Sequence, residues 1–495
     1  MAVLGAPGTE CVLAQEDLSF EGVQDGEVAF WQLRGRYQHD AVIDSNLAYS
    51  GSNSLRMSFK GRDPDHPSSF GVGAQSIPPE EFVGRHVRLS GHIRTERVSD
   101  GYAGLWVRID GLDGPLSLEN MQDTPVIGTH EWQRFEIQAP VTEDARRIVF
   151  GTVLTGEGTA WFDDLELTGI DPSRLPPPSD EVAAYLESAL DIMEQNSIKR
   201  DSVDWRSLRA TTVRMAAGAE TPADAYFALR AALRRLGDGH SYFFTPEQVH
   251  ALNNTGESSD ALGPWISPTG ARLGEDIGYV SIPGFSGTNA ARTTRFADEI
   301  QGVIADVDSD DLCGWVVDLR DDTGGNVFPM IAGLGPILGE GDFGGGVRAD
   351  GTAAVYRWYR NGGAGVGEGT PVSVSGEPYV LIPSNPPVAV LLGPRTASSG
   401  EATVLAFIGR PSTRTFGQPT AGQTTGNAPF YLSDGAVLNL AVTIMTDRLD
   451  RRYGGPVLPD VAVEESPPNA ALLEQPVISE ATRWLREQEG CRESQ

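Results

Sequence analysis

The spacing of apolar residues changes once along the chain, near residue 180. Before that point, short runs in which apolar and polar residues alternate, such as HVRLSGHIRTERV and WQRFEIQAPV, are separated by Gly, Asp and Pro turns. This alternation predicts antiparallel strands with one face in water and one face in a core. Residues 16–170 are therefore predicted to form an all-β sandwich. The next segment, 171–180, has four prolines in ten residues and is predicted to be a linker.

Apolar residues recur at helical spacing directly after the linker. This spacing predicts helices over 181–195 and 205–217. A third helix is predicted to begin after Thr221 as N-cap and to end at Gly237. We assign 181–250 to a helical cap region.

The rest of the chain, 265–488, alternates β-rich runs with helical stretches. This alternation predicts an α/β domain. The predicted fold class is therefore multidomain, with an all-β sandwich, a helical cap and an α/β domain in that order. The helical stretches of the α/β domain are predicted at 289–307, 327–338, 400–408 and 470–487.

Composition narrows the range of partners. The chain has 495 residues, more than one hydrophobic core usually holds, and its formal charge of -30 repels phosphate backbones. We therefore expect no nucleic-acid partner, and the lack of a long apolar stretch argues against a membrane span. The opening segment, 1–15, has small and apolar residues but no basic n-region, so it is at best a shortened signal peptide. A periplasmic or secreted location is favoured over the cytoplasm.

Metal and disulfide chemistry receive little support. Three cysteines are too few for a disulfide framework or a zinc site, although a Cys11–Cys491 bridge would join the two ends of the chain. The neighbouring Asp163 and Asp164 are weak evidence for calcium, because adjacent residues of a strand face opposite ways. We expect no cofactor and no essential metal.

The stretch VAVLLGPRTASSGEATVLAFIG, 388–409, predicts a strand, a tight turn and a helix, with Ser398 at the elbow beside the positive end of the helix. A hydroxyl there is suited to attack a carbonyl, because backbone N–H groups at the helix start receive the oxyanion without reorganising. The alternative role of Ser398 and Ser399 is helix capping.

A second turn follows the buried strand in GWVVDLRDDTGGN, 314–326. Gly324 and Gly325 allow positive φ and close approach of the backbone, which suits them to supply a second oxyanion donor. Such a turn is common in proteins of every kind, so it gains weight only in combination with the serine.

The candidate for the general base is found by elimination among the histidines and lysines that follow the predicted sandwich. Beyond residue 175 the chain has two histidines, His240 and His250, and one lysine, Lys199, between the first two helices. His240 lies on a turn in LGDGHSYFF, and its intrinsic pKa near neutrality suits proton transfer. The alternative for His240 is a packed or turn-capping histidine.

Six motifs in order resemble one family: LGDGHSYF, IGYVSIPGF, WVVDLRDDTGGN, GPRTASSGEA, FGQPTAGQTTG and YGGPVLPD. They are similar to the serine peptidases that include the tail-specific C-terminal processing proteases, the tricorn core and the interphotoreceptor retinoid-binding modules. The resemblance covers about 180–485 and implies a ClpP/crotonase-like catalytic domain with a polypeptide substrate. It also implies that Ser398 is the nucleophile, and that the N–H groups of Ser399 and of Gly324 or Gly325 form the oxyanion hole.

The chain departs from this family at two positions. The general-base lysine of the processing proteases is replaced by Gln423, an amide that accepts no proton at neutral pH. The tricorn-like branch uses a histidine, which His240 matches, but its acid aligns near Tyr453. We predict that Asp447 orients or stabilises His240. Two other carboxylates are rivals for that role: Asp450 and Glu401.

Residues 16–170 resemble jelly-roll carbohydrate-binding-like domains through SFEGVQDGEVAFWQLRG, SGSNSLRMSF and TAWFDDLEL.

From the six motifs, the whole chain is expected to be a serine-type peptidase that forms an acyl-enzyme at Ser398 with His240 as general base. Two alternatives stay open, namely a non-catalytic relative that binds a hydrophobic ligand or peptide, and an esterase that uses the same serine. The sequence leaves the oligomeric state open.

Overall fold

The computed structural model of the chain describes residues 17–24, 27–28, 31–35, 38–61, 70–112, 115–122, 124–253, 265–353, 356–464 and 471–492. The opening segment and Cys11 lie outside the described residues. The chain forms two compact units, Met1–Ala189 with Asp204–Arg235, and Leu190–Val203 with Leu236–Gln495. Ser398 and His240 both lie in the second unit.

The first unit contains the predicted β-sandwich. Its strands are β1 Val23–Gln24, β2 Glu27–Val28, β3 Gln32–Gly35, β4 His39–Asp44, β5 Ser54–Phe59, β6 Phe70–Ile77, β7 His86–Asp110, β8 Pro115–Glu119, β9 Val126–Pro140, β10 Arg147–Thr155 and β11 Glu157–Ile170.

Strand β7 is long enough to take part in two sheet regions. Its first half pairs with β9 and β11, and its second half pairs with β8 and β10. β5 and β4 continue the sheet beyond β11, and β6 and β3 continue it beyond β10. The buried apolar residues of these strands form one core, as in a jelly-roll-like sandwich. This arrangement confirms the all-β prediction.

The carboxylate of Asp163 is fully buried in this sandwich and accepts backbone hydrogen bonds. Tyr49 N–H and Ser50 N–H donate to Oδ2 at 2.7 and 3.0 Å, and Asp164 N–H donates to Oδ1 at 2.7 Å. Backbone amides therefore supply the positive partners of this acid. Among the described residues, no group of three or more His, Cys, Asp and Glu side chains is placed to hold a metal ion.

Three helices follow the sandwich, at the positions that apolar spacing predicts. They are α1 Asp180–Asn196, α2 Trp205–Met215 and α3 Tyr226–Leu236. Asp204 caps α2 by accepting the Ser207 N–H at 3.1 Å. A short 3-10 turn, Pro222–Ala225, precedes α3, so the helix signal at Thr221 begins this turn rather than the α-helix itself.

The second unit contains the α/β domain. Its elements are β12 Tyr242–Phe244, α4 Pro246–Asn253, β13 Thr269–Arg272, β14 Ile277–Ser281, α5 Ala290–Val307, β15 Gly314–Asp318, α6 Val327–Leu338, β16 Gly341–Asp342, β17 Gly346–Arg348, β18 Arg357–Arg360, β19 Gly363–Val366, β20 Gly369–Ser373, β21 Val388–Leu392, α7 Ser399–Phe407, β22 Thr413–Gly417, β23 Thr425–Tyr431, β24 Val437–Met445, β25 Val461–Ala462, α8 Pro476–Arg486 and α9 Glu489–Arg492.

A six-stranded sheet in the order β13-β14-β15-β21-β22-β25 is the centre of this unit, and it is parallel from β14 onward. Trp315 and Val317 of β15 face a core shared with α5, α6 and α7, whereas Val316 faces a second core shared with α8. A sheet covered by helices on both faces requires continuous apolar strands, which is the pattern of β15 and β21. The predicted fold class is confirmed.

A disulfide links Cys313, at the start of β15, to Cys491 in α9. The proposed Cys11–Cys491 bridge is therefore wrong, because Cys491 already has a partner inside the second unit. Within the described residues, no helix is both long and apolar enough to cross a membrane.

Candidate active site

Two turns meet at one edge of the central sheet. β15 and β21 are parallel neighbours, with Asp318 opposite Leu391, so the segments that leave their carboxyl ends lie side by side. The buried Thr396 joins these segments, because its hydroxyl donates to the Leu319 carbonyl at 2.8 Å and accepts the Gly393 N–H at 3.0 Å. The turn that contains Gly324 and Gly325 (the glycine turn) and the turn that contains Ser398 (the serine turn) are thereby brought together.

Ser398 lies at the elbow between β21 and α7. It is the N-cap residue of α7, with φ 50° and ψ −111°, a backbone conformation that costs of order 1–3 kcal/mol for a residue other than glycine. The side chain is half-buried. A strained strand-to-helix turn of this kind presents a nucleophilic hydroxyl next to the N–H groups of a helix start.

Glu401, in the first turn of α7, holds the serine turn through hydrogen bonds. Its buried carboxylate accepts the Ser398 N–H at 2.9 Å and the Gly422 N–H at 2.8 Å, and it also accepts the Thr420 hydroxyl. Burial raises the pKa of this carboxyl, and the hydrogen bonds act in the opposite direction. Glu401 therefore ties the serine turn to the segment before β23.

The two glycines of the DDTGG turn are required by close contacts. A Cβ at Gly324 would lie 2.9 Å from the Ser398 Cβ, and a Cβ at Gly325 would lie 2.0 Å from the Phe285 carbonyl oxygen. Both residues have positive φ, 99° and 113°. The Ser399 hydroxyl donates to the Gly325 carbonyl at 2.6 Å, which fastens this turn to the first residue of α7.

The structure distinguishes the N–H groups proposed for the oxyanion hole. Gly324 N–H donates to Asp322 Oδ1 at 3.0 Å, so it is already engaged inside the turn. The N–H groups of Gly325 and Ser399 have no acceptor within the described part of the chain. The geometry thus favours Gly325 over Gly324 as the donor that accompanies Ser399.

His240 is held on a tight turn between α3 and β12. Gly237 and Gly239 have φ of 70° and 67°, which allows the chain to reverse within a few residues. Asp238 Oδ1 accepts the N–H groups of His240 and Ser241 at 2.8 and 2.7 Å. The Ser241 hydroxyl donates to Asp238 Oδ2 at 2.7 Å and accepts the Ala441 N–H of β24 at 2.9 Å.

Strand β23 contacts His240 twice. The imidazole Nδ1 lies 2.7 Å from Thr425 Oγ1, and Asn427 Nδ2 donates to the His240 carbonyl at 2.7 Å. Thr425 and Asn427 were not predicted as site residues, although Thr425 lies within the FGQPTAGQTTG motif and Asn427 directly follows it. The sequence signal that could have found them is their separation by two positions on one predicted strand, because residues at this spacing place their side chains on the same face.

The imidazole of His240 is 9% exposed. Burial lowers its pKa from the ordinary value, whereas the charge of Asp238 and the contact with Thr425 raise it. Because burial is the largest of these effects, the neutral imidazole is favoured. A neutral imidazole is the form that accepts a proton.

The serine turn and the histidine turn are connected by the segment 422–425. Gly422 contacts Glu401 at one end of this segment, and Thr425 contacts His240 at the other. Three residue steps span at most roughly 10 Å. The start of α7 and the histidine therefore belong to one region of the second unit.

Among the described residues, no hydrogen bond joins Asp447 to His240, so the contacts give the predicted role of Asp447 no support. Its buried carboxylate accepts hydrogen bonds from Arg451 Nε at 2.7 Å and from the Tyr453 hydroxyl at 3.0 Å, and also from nearby backbone N–H groups. This local set of donors satisfies the carboxylate within its own turn. Its rivals also bond elsewhere, since Asp450 accepts the Tyr356 hydroxyl at 2.7 Å and Glu401 binds the serine turn.

Tyr453, at the position where the family's tricorn branch has an acid, supports Asp447 instead. Burial raises the pKa of its phenol to about 12, so it stays protonated as a donor. Gln423 is half-buried in the segment between Glu401 and Thr425. Neither residue replaces the expected acid or lysine, and Asp238 is the carboxylate whose charge acts on His240.

Comparison with known proteins supports the five motifs from IGYVSIPGF to YGGPVLPD, whereas LGDGHSYF, with His240, precedes the matched range. Residues 276–463 match the model of peptidase family S41. This range is similar to peptidase family S41, and we call it the S41 domain. The family resemblance predicted from the sequence is therefore confirmed, and the S41 domain includes both turns and the segment 422–425.

Individual relatives extend the likeness beyond the S41 domain. The nisin-resistance protein of Lactococcus lactis subsp. lactis is 27% identical over 315 residues, which cover 63% of this chain and 89% of that protein. A lipoprotein from Streptococcus agalactiae has 26% identity and a TM-score of 0.50, over 63% of this chain and 97% of that one. A xylan-binding domain from Paenibacillus barcinonensis is 15% identical with a TM-score of 0.23, over 31% of this chain and 91% of that domain.

Proposed function

We propose that the second unit is a serine-type peptidase in which Ser398, within the S41 domain, is the nucleophile and His240, which precedes that domain, is the general base. The observation that carries this proposal is the pair of turns at one sheet edge, where the strained Ser398 lies beside the glycine turn. The family match of residues 276–463 supports peptide-bond hydrolysis as the reaction class and a polypeptide as the substrate.

In the proposed mechanism, the neutral imidazole of His240 carries its proton on Nδ1. Nδ1–H donates to Thr425 Oγ1, which lies 2.7 Å away, so Nε2 carries the lone pair. Nε2 takes the proton of the Ser398 hydroxyl as the oxygen attacks the scissile carbonyl. The imidazolium then gives this proton to the leaving amine, and water hydrolyses the acyl-enzyme through the same base.

The negative charge of the tetrahedral intermediate is received by backbone donors. The N–H groups of Gly325 and Ser399 are proposed for this task, because both lack acceptors among the described residues, Ser399 follows Ser398, and the Gly325 carbonyl accepts the Ser399 hydroxyl. Ser399 is also the first residue of α7, where the helix dipole favours negative charge. The charge of Asp238 stabilises the imidazolium in place of the predicted Asp447.

A location outside the cytoplasm is part of the proposal. Disulfides persist in oxidising compartments, and the Cys313–Cys491 bridge lies inside the S41-containing unit. The similar Streptococcus agalactiae protein is described as a lipoprotein. Alkylation of intact cells before and after reduction tests this, since Cys313 and Cys491 should react only after reduction.

A fluorophosphonate probe tests the mechanism. We expect the wild-type protein to be labelled at Ser398, as mapped by mass spectrometry. Ser398→Ala should lose the label, and His240→Ala should slow labelling by roughly 100-fold or more. An intact fold that is not labelled at Ser398 would contradict the peptidase mechanism and favour a non-catalytic binding protein.

A further inference from the structure

Asp322 contacts both turns of the proposed site. Its Oδ1 accepts the Gly324 N–H at 3.0 Å, and its backbone carbonyl accepts the Ala397 N–H at 3.0 Å. Ala397 directly precedes Ser398. One residue therefore sets the position of the glycine turn relative to the serine turn.

The carboxyl of Asp322 also lies against the first turn of α7. A Cβ at Gly400 would lie 2.9 Å from the Asp322 Cγ and 2.4 Å from its carbonyl oxygen. Gly400 thus leaves the space that the Asp322 side chain occupies. The Asp322 side chain therefore packs directly against the first turn of α7.

Asp322 is fully buried without a charged partner. Its Oδ2 has no hydrogen-bond partner among the described residues, and burial raises the pKa of this carboxyl well above its ordinary value. The neighbouring Asp321, in contrast, is exposed and pairs with Arg395. A buried acid without a cation reduces stability, so Asp322 contributes to the fold at a cost in free energy.

The peptide between Gly324 and Gly325 carries the N–H proposed as oxyanion donor. Its carbonyl oxygen accepts the Phe285 N–H at 3.0 Å. Because the carbonyl and the N–H of a trans peptide point in opposite directions, the Gly325 N–H points away from Phe285. The Asp322 carboxyl accepts the Gly324 N–H, which belongs to the preceding peptide. This hydrogen bond limits rotation of the peptide between Gly324 and Gly325.

We propose that Asp322 is a positioning residue of the oxyanion hole. By accepting the Gly324 N–H, it keeps that group away from the substrate and fixes the peptide that presents the Gly325 N–H beside Ser399. This inference rests on the proposed function. The required property of residue 322 is a hydrogen-bond acceptor of the size of aspartate, not a negative charge.

Two variants separate the acceptor from the charge. Asp322→Asn keeps an oxygen that accepts the Gly324 N–H, whereas Asp322→Ala removes the acceptor. Asp322→Leu also removes the acceptor but fills the space, so it serves if Asp322→Ala does not fold. Asp321→Ala is the matched control, because Asp321 is the exposed neighbour.

The measurement is the saturation kinetics of a fluorophosphonate probe, which gives the maximal labelling rate and the half-saturating concentration separately. We expect Asp322→Ala and Asp322→Leu to lower the maximal rate roughly 30- to 300-fold, with half-saturation within about threefold of wild type. Asp322→Asn and Asp321→Ala should stay within about threefold of wild type in both. Thermal unfolding identifies the variants that fold.

Several results would overturn the proposal. A folded Asp322→Ala or Asp322→Leu protein with the wild-type maximal rate shows that the acceptor is dispensable. A folded Asp322→Asn protein that is as slow as Asp322→Leu shows that the charge, not the acceptor, matters. In both cases Ser398 is still labelled, so the proposed function stands; absence of Ser398 labelling in the wild type overturns both together.

Discussion

Thr425 Oγ1 lies 2.7 Å from Nδ1 of His240, although the two residues are 185 positions apart in the chain. Thr425 is the first residue of β23, and it is buried together with the histidine. When the proton of the imidazole is on Nδ1 and is donated to this hydroxyl, Nε2 is left for the proposed role of general base. The same relationship explains how His240 is oriented without the predicted Asp447.

We expect Thr425→Val to lower the maximal rate of fluorophosphonate labelling by roughly 10- to 100-fold, because valine keeps the shape but removes the hydroxyl at Nδ1. Thr425→Ser should restore most of the rate. Thr424→Val is the control, since the buried Thr424 hydroxyl donates to the Gly455 carbonyl instead. A Thr425→Val protein with the wild-type rate would show that Thr425 does not orient the base.

Asp238→Asn tests the electrostatics of His240. The charge of Asp238 raises the His240 pKa, so its removal lowers that pKa further in the direction set by burial. Because the neutral imidazole is the proposed active form, the fall in the labelling rate at acid pH should move to lower pH.

The measurement for Asp238→Asn is the labelling rate of Ser398 between pH 4 and pH 8. Asp201→Asn, a change of an exposed carboxylate that pairs with Arg200, is the control and should leave the pH dependence unchanged. If the fall in the labelling rate at acid pH moves to higher pH in Asp238→Asn, the assigned direction of the His240 pKa change is wrong.

The buried Asp322 predicts a pH-dependent stability difference. Its pKa in the folded state is raised, so the folded protein holds the proton more tightly than the unfolded chain, whose aspartate titrates near about 3.9. The wild type therefore loses stability relative to Asp322→Asn as pH rises from that value to the folded pKa. Scanning calorimetry from pH 3.5 to pH 8 measures this difference. A difference in melting temperature between the two proteins that does not change with pH would refute the prediction.

The Cys313–Cys491 bridge closes a loop of 178 residues within the second unit. We expect Cys313→Ser or Cys491→Ser to lower the free energy of unfolding by roughly 2–5 kcal/mol. Guanidinium unfolding with and without a reductant checks this, and reduction of the wild type should have the same effect. Cys11→Ser is the control, because Cys491 is already bonded to Cys313.

Local sequence determined the elements and the candidate nucleophile. The helix predicted over 327–338 is observed as Val327–Leu338, and the helix predicted over 289–307 as Ala290–Val307, because apolar spacing and capping residues act within a few turns. Ser398 at a strand-to-helix elbow and the two glycines of the DDTGG turn were also readable, since each depends on its immediate neighbours. The order of six motifs was enough to identify the family.

Only the tertiary structure decided which groups meet. The partner of His240 is Thr425, and the partner of Cys491 is Cys313, because the order of strands in the sheets brings distant segments together. Asp447 illustrates the opposite case, since a carboxylate that looked available finds all its donors within its own turn. Hydrogen bonds of this kind depend on distances of about 3 Å between groups far apart in sequence, and spacing along the chain carries no record of those distances.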